Sequence, residues 1–260
     1  MATLGDNNPR AFGDAVSLDA WRTKYDESSG EADLHVNVVF SQGRIGGDEN
    51  SPIRFRLQLL RAEVHVIRDA AQVIAIRPSS VQTGRRAAAE ESVKVITETE
   101  AKGQVRAGLS SNPDISAGSE ARKLVRDETT FTRTDEPIVF VSMKTDHGYL
   151  FRIEPSTATA LSGSPWSSEV PLLKILDSKK DRKHGEAPEV RVELRCRRED
   201  MHITDIQLTE SASNITYSAN KILAVEQYIR SELLKIGFLV PSLTDPFSEA
   251  VIADVVPEED

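Results

Sequence analysis

The chain has 260 residues, of which 39% are hydrophobic and 28% are charged, and its formal net charge is −9. A chain of this length can bury a substantial core, and all-β chains of this size often form one domain. The negative charge argues against general affinity for the phosphate backbone of DNA or RNA. The single cysteine, Cys196, excludes an internal disulfide framework and a zinc cluster built from cysteines.

Residues 1–32 are polar, and they predict a flexible N-terminal segment. Only residues 15–25 favour local order, as a short helix capped by Ser17 with Trp21 packed inward. The first residues lack the basic start and the apolar centre of a secretion signal, and no apolar run is long enough for a transmembrane helix. Together with the lone cysteine, these features predict a soluble, cytoplasmic protein.

The sequence pattern predicts a single β-rich domain over residues 33–240. Apolar and polar residues alternate in Leu34–Phe40, Ile53–Leu59 and Val190–Cys196, as in strands with one buried face. The alternation changes phase at Leu59–Leu60, which predicts a β-bulge or a strand that bends between two sheets. Because turn residues separate many short strands, the predicted fold class is mainly β, an antiparallel β-sandwich.

One amphipathic helix is predicted near the C-terminus, over residues 218–236, and Gly237 fits the C-cap position. We expect it to pack on one sheet or sheet edge. Its apolar stripe suits the core better than an interface. The stripe consists of Ile222, Val225, Ile229, Leu233 and Ile236. Residues 241–260 form an acidic C-terminal tail, predicted to be disordered at its end.

The most unusual stretch of the sequence is residues 92–131. A period of two runs for about seventeen residues from Val93 to Leu109, where strands usually have five or six. The turn formers Ser110–Asp114 follow, and the alternation then resumes, with interruptions, as far as Phe131. This pattern predicts an unusually long β-hairpin.

Three interpretations of this hairpin stay open. It is part of the sandwich or an arm along a neighbour, it adds strands to another copy or a partner, or it inserts into a membrane as part of a β-barrel pore. The candidate contact residues for strand addition are Lys102, Gln104, Arg106, Glu120 and Arg122. The candidate membrane-facing residues are Ala101, Val105, Ala107, Leu109, Ile115 and Ala117.

No catalytic or ligand-binding motif rises above chance. The glycine-rich loop over residues 43–47 has the spacing and context of neither a dinucleotide site nor a P-loop. His35, His65 and His202 lie on predicted strands, and they would form a metal site or an acid–base pair only if they converged in space. Cys196 lies on the apolar side of its strand, where a thiol is a poor nucleophile. We therefore expect no catalytic residue, no metal and no cofactor.

The function predicted from the sequence is that of a non-enzymatic, β-rich binding or assembly protein. It would act through protein–protein contacts, with a protein partner or by self-association through the long hairpin, and without nucleic acid. The first alternative is a β-barrel pore-forming protein that inserts residues 98–126 into membranes. The second alternative is an enzyme or metal-binding protein that uses the strand histidines.

Overall fold

The structure is a computed structural model that describes residues 9–26, 28–47, 51–68, 74–85, 90–100, 124–134, 138–156, 160–177, 190–208, 221–240 and 242–259. For residues 74, 75, 85, 90–100, 124–134 and 177 it describes the backbone alone. Its single described α-helix, α1, is Lys221–Lys235, and two short 3-10 helices cover Pro78–Ser80 and Arg198–Asp200. The described strands, in chain order, are β1 (Val16–Arg22), β2 (Glu31–Phe40), β3 (Gly43–Gly46), β4 (Ile53–Leu59), β5 (Ala62–Arg68), β6 (Ile74–Ile76), β7 (Gly84–Arg85), β8 (Glu90–Glu100), β9 (Leu124–Thr134), β10 (Ile138–Thr145), β11 (Gly148–Pro155), β12 (Leu173–Asp177), β13 (Val190–Arg197), β14 (Met201–Leu208), β15 (Glu249–Val255) and β16 (Glu258–Glu259).

The fold is mainly β, as the sequence predicts, and the chain divides into two compact units. The unit within residues 1–88 and 136–260 holds three sheets, ordered β16-β1-β2-β12-β6, β15-β13-β5-β11-β10-β7 and β14-β4-β3. Neighbouring strands in these sheets pair antiparallel, except for the parallel pair of β1 with β16. The unit within residues 89–135 holds the two-stranded sheet β8-β9.

Trp166 lies between two sheets of the larger unit. Its indole N–H donates to the carbonyl of Val36 in β2 at 2.7 Å. Its ring packs against Phe140 of β10 and Phe151 of β11, with ring centroids 5.2 and 5.8 Å away. The five-stranded and six-stranded sheets therefore face each other across one hydrophobic core, as in a β-sandwich.

The phase change at Leu59–Leu60 marks a passage between two sheets, as predicted. β4 ends at Leu59 in the three-stranded sheet, and β5 begins at Ala62 in the six-stranded sheet. At this corner the N–H of Leu60 donates to the carbonyl of Asp200 at 2.8 Å. The chain thus connects two layers of the core without a long loop.

Helix α1 packs on the three-stranded sheet, as predicted for the C-terminal helix. Tyr228 meets Phe55 of β4 edge-on, with ring centroids 5.9 Å apart. Gly237 follows the helix with φ +86°, and the N–H of Phe238 donates to the carbonyl of Leu233 at 2.9 Å. This is the glycine C-cap that the sequence predicts.

The predicted apolar stripe of the helix is correct except at its start. Val225, Ile229 and Leu233 are buried, and Ile236 is partly buried against the core. Ile222 was expected in the stripe, but 56% of it is exposed. In that first turn the core is contacted by Ala224, which is buried, so the stripe begins later than the spacing suggests.

The prediction for the N-terminal segment is wrong over residues 16–22. They form the strand β1, paired antiparallel with β2, and not part of a short helix in a flexible lead-in. Val16, Leu18 and Ala20 are buried on one face. Pairing with β2 buries this period-two pattern, and that tertiary contact outweighs the local helix signals.

The acidic tail over residues 241–260, placed outside the predicted domain, contributes a core strand over residues 249–255. They form β15, which pairs antiparallel with β13 at the edge of the six-stranded sheet. Ala250, Ile252 and Ala253 are buried in the core. Apolar residues supply enough burial to order this strand, although acidic residues dominate the composition around it.

Candidate functional site

The predicted hairpin is described in part, as the sheet β8-β9. Its strands pair antiparallel over 11 residues each, from Glu90 opposite Thr134 to Glu100 opposite Leu124. At roughly 3.3 Å per residue, each strand spans about 36 Å. In every pair the two residue numbers are symmetric about position 112, inside the predicted turn Ser110–Asp114. Residues 101–123 lie outside the described residues, so the hairpin beyond β8-β9 stays a prediction.

The sheet β8-β9 has edges that suit strand addition. Within the described part of the chain, neither strand pairs with a third. The register sets Glu91 opposite Arg133 and Glu98 opposite Arg126. In a two-stranded sheet, the outer edge of each strand carries backbone N–H and C=O groups that are not paired within that sheet.

The residues predicted to contact a partner or a membrane all fall outside the described residues. The predicted contact residues are Lys102, Gln104, Arg106, Glu120 and Arg122. The predicted membrane-facing residues are Ala101, Val105, Ala107, Leu109, Ile115 and Ala117.

The three strand histidines do not meet in one site. His35 lies in the five-stranded sheet, where its ring stacks on Trp21 at 5.4 Å and its Nδ1 is 2.9 Å from the carbonyl oxygen of Ser168. His202 is exposed on β14 in the three-stranded sheet. His65 lies on β5 in the six-stranded sheet.

His65 has partners that sequence reasoning missed. Its Nε2 lies 3.3 Å from a carboxylate oxygen of Glu63 and 3.7 Å from one of Glu249. Burial lowers the pKa of His65, and the positive charge of Arg195 lowers it further, whereas Glu249 and Glu63 act in the opposite direction. A sequence signal existed for Glu63 alone, because residues two apart on a strand share a face.

Cys196 is buried, as predicted. Its Sγ lies 3.3 Å from the carbonyl oxygen of Arg197 and 3.5 Å from that of Arg61. Burial raises the pKa of the Cys196 thiol well above its usual value, and the negative charges of Asp200 and Glu249 add to this shift. Such a thiol stays protonated at neutral pH, so it does not act as a nucleophile.

Comparison with known proteins places the chain in no family. No protein-family model matches it, and no curated protein matches it. Among solved structures, it is similar to the Clostridium perfringens NetB toxin in the membrane-inserted form, at 9% sequence identity and a TM-score of 0.27. The alignment covers 75% of this chain and 92% of that chain. A similarity at this level transfers neither a fold nor a function.

The one α-helix in the described part of the chain is short. α1 has 15 residues, and no helix in the described ranges combines the length and the apolar character that crossing a bilayer requires.

Proposed function

We propose that this protein works by assembly, and that its sheet β8-β9 adds strands edge to edge to the same sheet of another copy. The observation that carries this proposal is the separate two-stranded sheet, with 11 residues in each strand and no third strand among the described residues. A two-stranded hairpin is marginally stable by itself in water. Pairing with further strands supplies backbone hydrogen bonds along the edges of such a hairpin.

Removal of the smaller unit tests this proposal. Val139 pairs with Arg85 and Phe140 pairs with Gly84, so the chain enters and leaves residues 86–137 on neighbouring strands. Replacement of residues 89–135 by a short Gly/Ser linker should therefore leave the larger unit folded, with a cooperative urea transition. We expect this deletion to stay monomeric at concentrations, and with liposomes, at which the full chain forms oligomers in sedimentation velocity.

Leu239→Ser is the matched control for association through the larger unit. Leu239 is 88% exposed in that unit, and it is the type of apolar side chain through which an unrelated association would run. We expect the control to assemble like the full chain. The proposal is wrong if the deletion assembles normally, or if the full chain stays monomeric under every condition. A deletion that no longer unfolds cooperatively would instead place the hairpin in the core.

A second candidate function is a β-barrel pore, favoured by the sequence of residues 101–109 and 115–122. Both stretches alternate in polarity and adjoin the paired strands, and a transmembrane strand needs about nine to eleven such residues. Their apolar positions are mostly small, as at Ala101 and Ala107. At about 25 cal/mol per Å² such side chains bury too little for one hairpin to insert, so several copies would have to insert together.

Two labelling sites separate a pore from soluble assembly. A polarity-sensitive dye is attached at Ala107→Cys or at its neighbour Arg106→Cys, both in a Cys196→Ser background, and liposomes with a trapped dye are added. For a pore we expect leakage and a blue shift at residue 107, with little shift at residue 106, because neighbours on a strand face opposite sides. Equal shifts at both positions, or no leakage, would argue against the pore.

A further inference from the structure

The face of the six-stranded sheet opposite the core carries a cluster of charged side chains and one histidine. On β5, Ala62, Val64 and Val66 are buried in the core, so the intervening Glu63 and His65 are directed to the other face. Arg195 of β13 and Glu249 of β15 reach the same place. Three strands of one rigid sheet therefore position this cluster.

The distances among three of these side chains fit a single metal ion. His65 Nε2 lies 3.3 Å from Glu63 Oε2 and 3.7 Å from Glu249 Oε1, and the three ligand atoms lie within 4.8 Å of one another. Tetrahedral zinc with bonds of 2.0–2.2 Å sets its ligand atoms about 3.3–3.6 Å apart. The arrangement thus needs only small side-chain shifts to close around an ion.

The neighbouring arginines orient the carboxylates, and one of them competes with an ion for a proposed ligand oxygen. Arg152 Nε lies 3.2 Å from Glu63 Oε1, so Oε2 of the same carboxylate remains directed to His65. Arg195 donates to Glu193 Oε2 from Nε at 2.8 Å and from Nη2 at 2.7 Å. Its 3.3 Å contact from Nη1 to Glu249 Oε1 is the one that an ion would weaken.

Fixed charges in the cluster favour a cation. The carboxylates of Glu63, Glu193, Glu249 and Asp254 outnumber the guanidinium groups that contact them, which belong to Arg152, Arg191 and Arg195. Among these seven groups the carboxylates exceed the guanidinium groups by one, and the side chains of Glu63 and His65 are only 19% and 17% exposed. An open cavity beside Glu63 and Glu249 gives an ion a route to these two ligands, and four arginines and two further carboxylates also line it.

From this geometry we propose that Glu63, His65 and Glu249 bind a divalent transition-metal ion of the Zn²⁺ type. One imidazole nitrogen and two carboxylate oxygens form a three-ligand set, which leaves the fourth position of a tetrahedral ion for water. Arg152 orients the Glu63 carboxylate, in the way that outer-shell groups orient metal ligands. The site is independent of the proposed assembly through β8-β9.

Calorimetric titration of the full chain with ZnCl2 near pH 7 tests the site. We expect one saturable site in the wild type. His65→Gln and Glu249→Gln should each weaken it at least about tenfold, because each removes one of three ligands. The matched control is His202→Gln, which removes an exposed histidine from another sheet and should leave the site unchanged.

A measurement on the unmodified chain covers the case in which a variant does not fold. Zn²⁺ should protect His65 from diethylpyrocarbonate, read by mass spectrometry, at the concentrations that saturate the calorimetric site. Exposed His202 should stay reactive. The proposal is overturned if the wild type shows no saturable site, if His65 is not protected, or if folded His65→Gln and Glu249→Gln bind as the wild type does.

Discussion

Cys196 lies between the backbone of β13 and the corner that leads into β5, and its burial determines its reactivity. Since burial raises the thiol pKa, little thiolate exists at neutral pH and reagents have no direct access. We expect labelling of the native protein by a thiol-specific reagent to be about 100-fold slower than in denaturant. Fast labelling without denaturant would contradict the burial of β13.

Trp166 makes one hydrogen bond that phenylalanine cannot replace. Trp166→Phe keeps much of the aromatic packing on Phe140 and Phe151, but it leaves the buried carbonyl of Val36 without its 2.7 Å donor. We expect the free energy of unfolding to fall by about 1–3 kcal/mol in urea titrations. Trp21→Phe, at a half-buried residue stacked on His35, is the control and should cost less. Equal losses would show that Trp166 contributes by packing alone.

We expect Asp200 to lower the stability of the fold as pH rises. Burial raises the pKa of its carboxyl, and Arg61, 3.9 Å away, opposes this shift only in part. The folded state therefore binds the proton more tightly than the unfolded state, and this group lowers stability as pH rises from about 3.9 through the folded pKa. Asp200→Asn should be more stable than the wild type at pH 7, and the gain should vanish near pH 3.

Asp205→Asn is the control for this pH effect. Asp205 is exposed on β14 and forms an ion pair with Arg56 at 3.0 Å. Loss of that pair should leave stability at pH 7 unchanged or slightly reduced, because exposed ion pairs contribute little. Urea titrations at both pH values measure the two differences, and a gain for Asp200→Asn that does not change with pH would contradict the assignment.

At the scale of single elements, α1 is held by a narrower set of contacts than its sequence suggests. Ile229 is fully buried against the core, whereas Ile222 is 56% exposed. Ile229→Ala should lower the free energy of unfolding by about 2–4 kcal/mol, because it removes buried methyl groups and leaves a cavity. Ile222→Ala should change it by less than about 0.5 kcal/mol. Similar losses in urea titrations of the two variants would show that the helix packs differently.

The elements that the sequence predicted correctly are those whose pattern is strong and local. β2, β4 and β13 show clear alternation, and the phase change at Leu59–Leu60 marks the passage between sheets. β1 and β15 were missed because local composition pointed elsewhere. Their order comes from pairing with β2 and β13, which are distant in sequence, and a single chain carries no direct record of such pairing.

At the scale of the whole molecule, the candidate metal site also depends on a strand pairing that the sequence does not record directly. The spacing of Glu63 and His65 on one strand was visible in the sequence. Glu249 joins them only because β13 pairs with both β5 and β15 in the six-stranded sheet. The pairing of β8 with β9 agrees with the predicted hairpin as far as it is described, because its register is centred inside the predicted turn.

This contrast in sequence separation also has a kinetic consequence. The strands β8 and β9 close a short segment, whereas the larger unit must bring Arg68 to Val190 and Leu34 to Leu173. Long closures cost more entropy and slow folding, so the hairpin should form while the sandwich is still open. During refolding its free edges would then meet those of other chains.

We expect the refolding yield to fall as protein concentration rises, and the 89–135 deletion to remove that dependence. If the yield of both proteins depended equally on concentration, the loss of refolding yield would come from the slowly folding larger unit. A cell that makes this protein would accordingly need to keep newly made chains apart until the larger unit has folded.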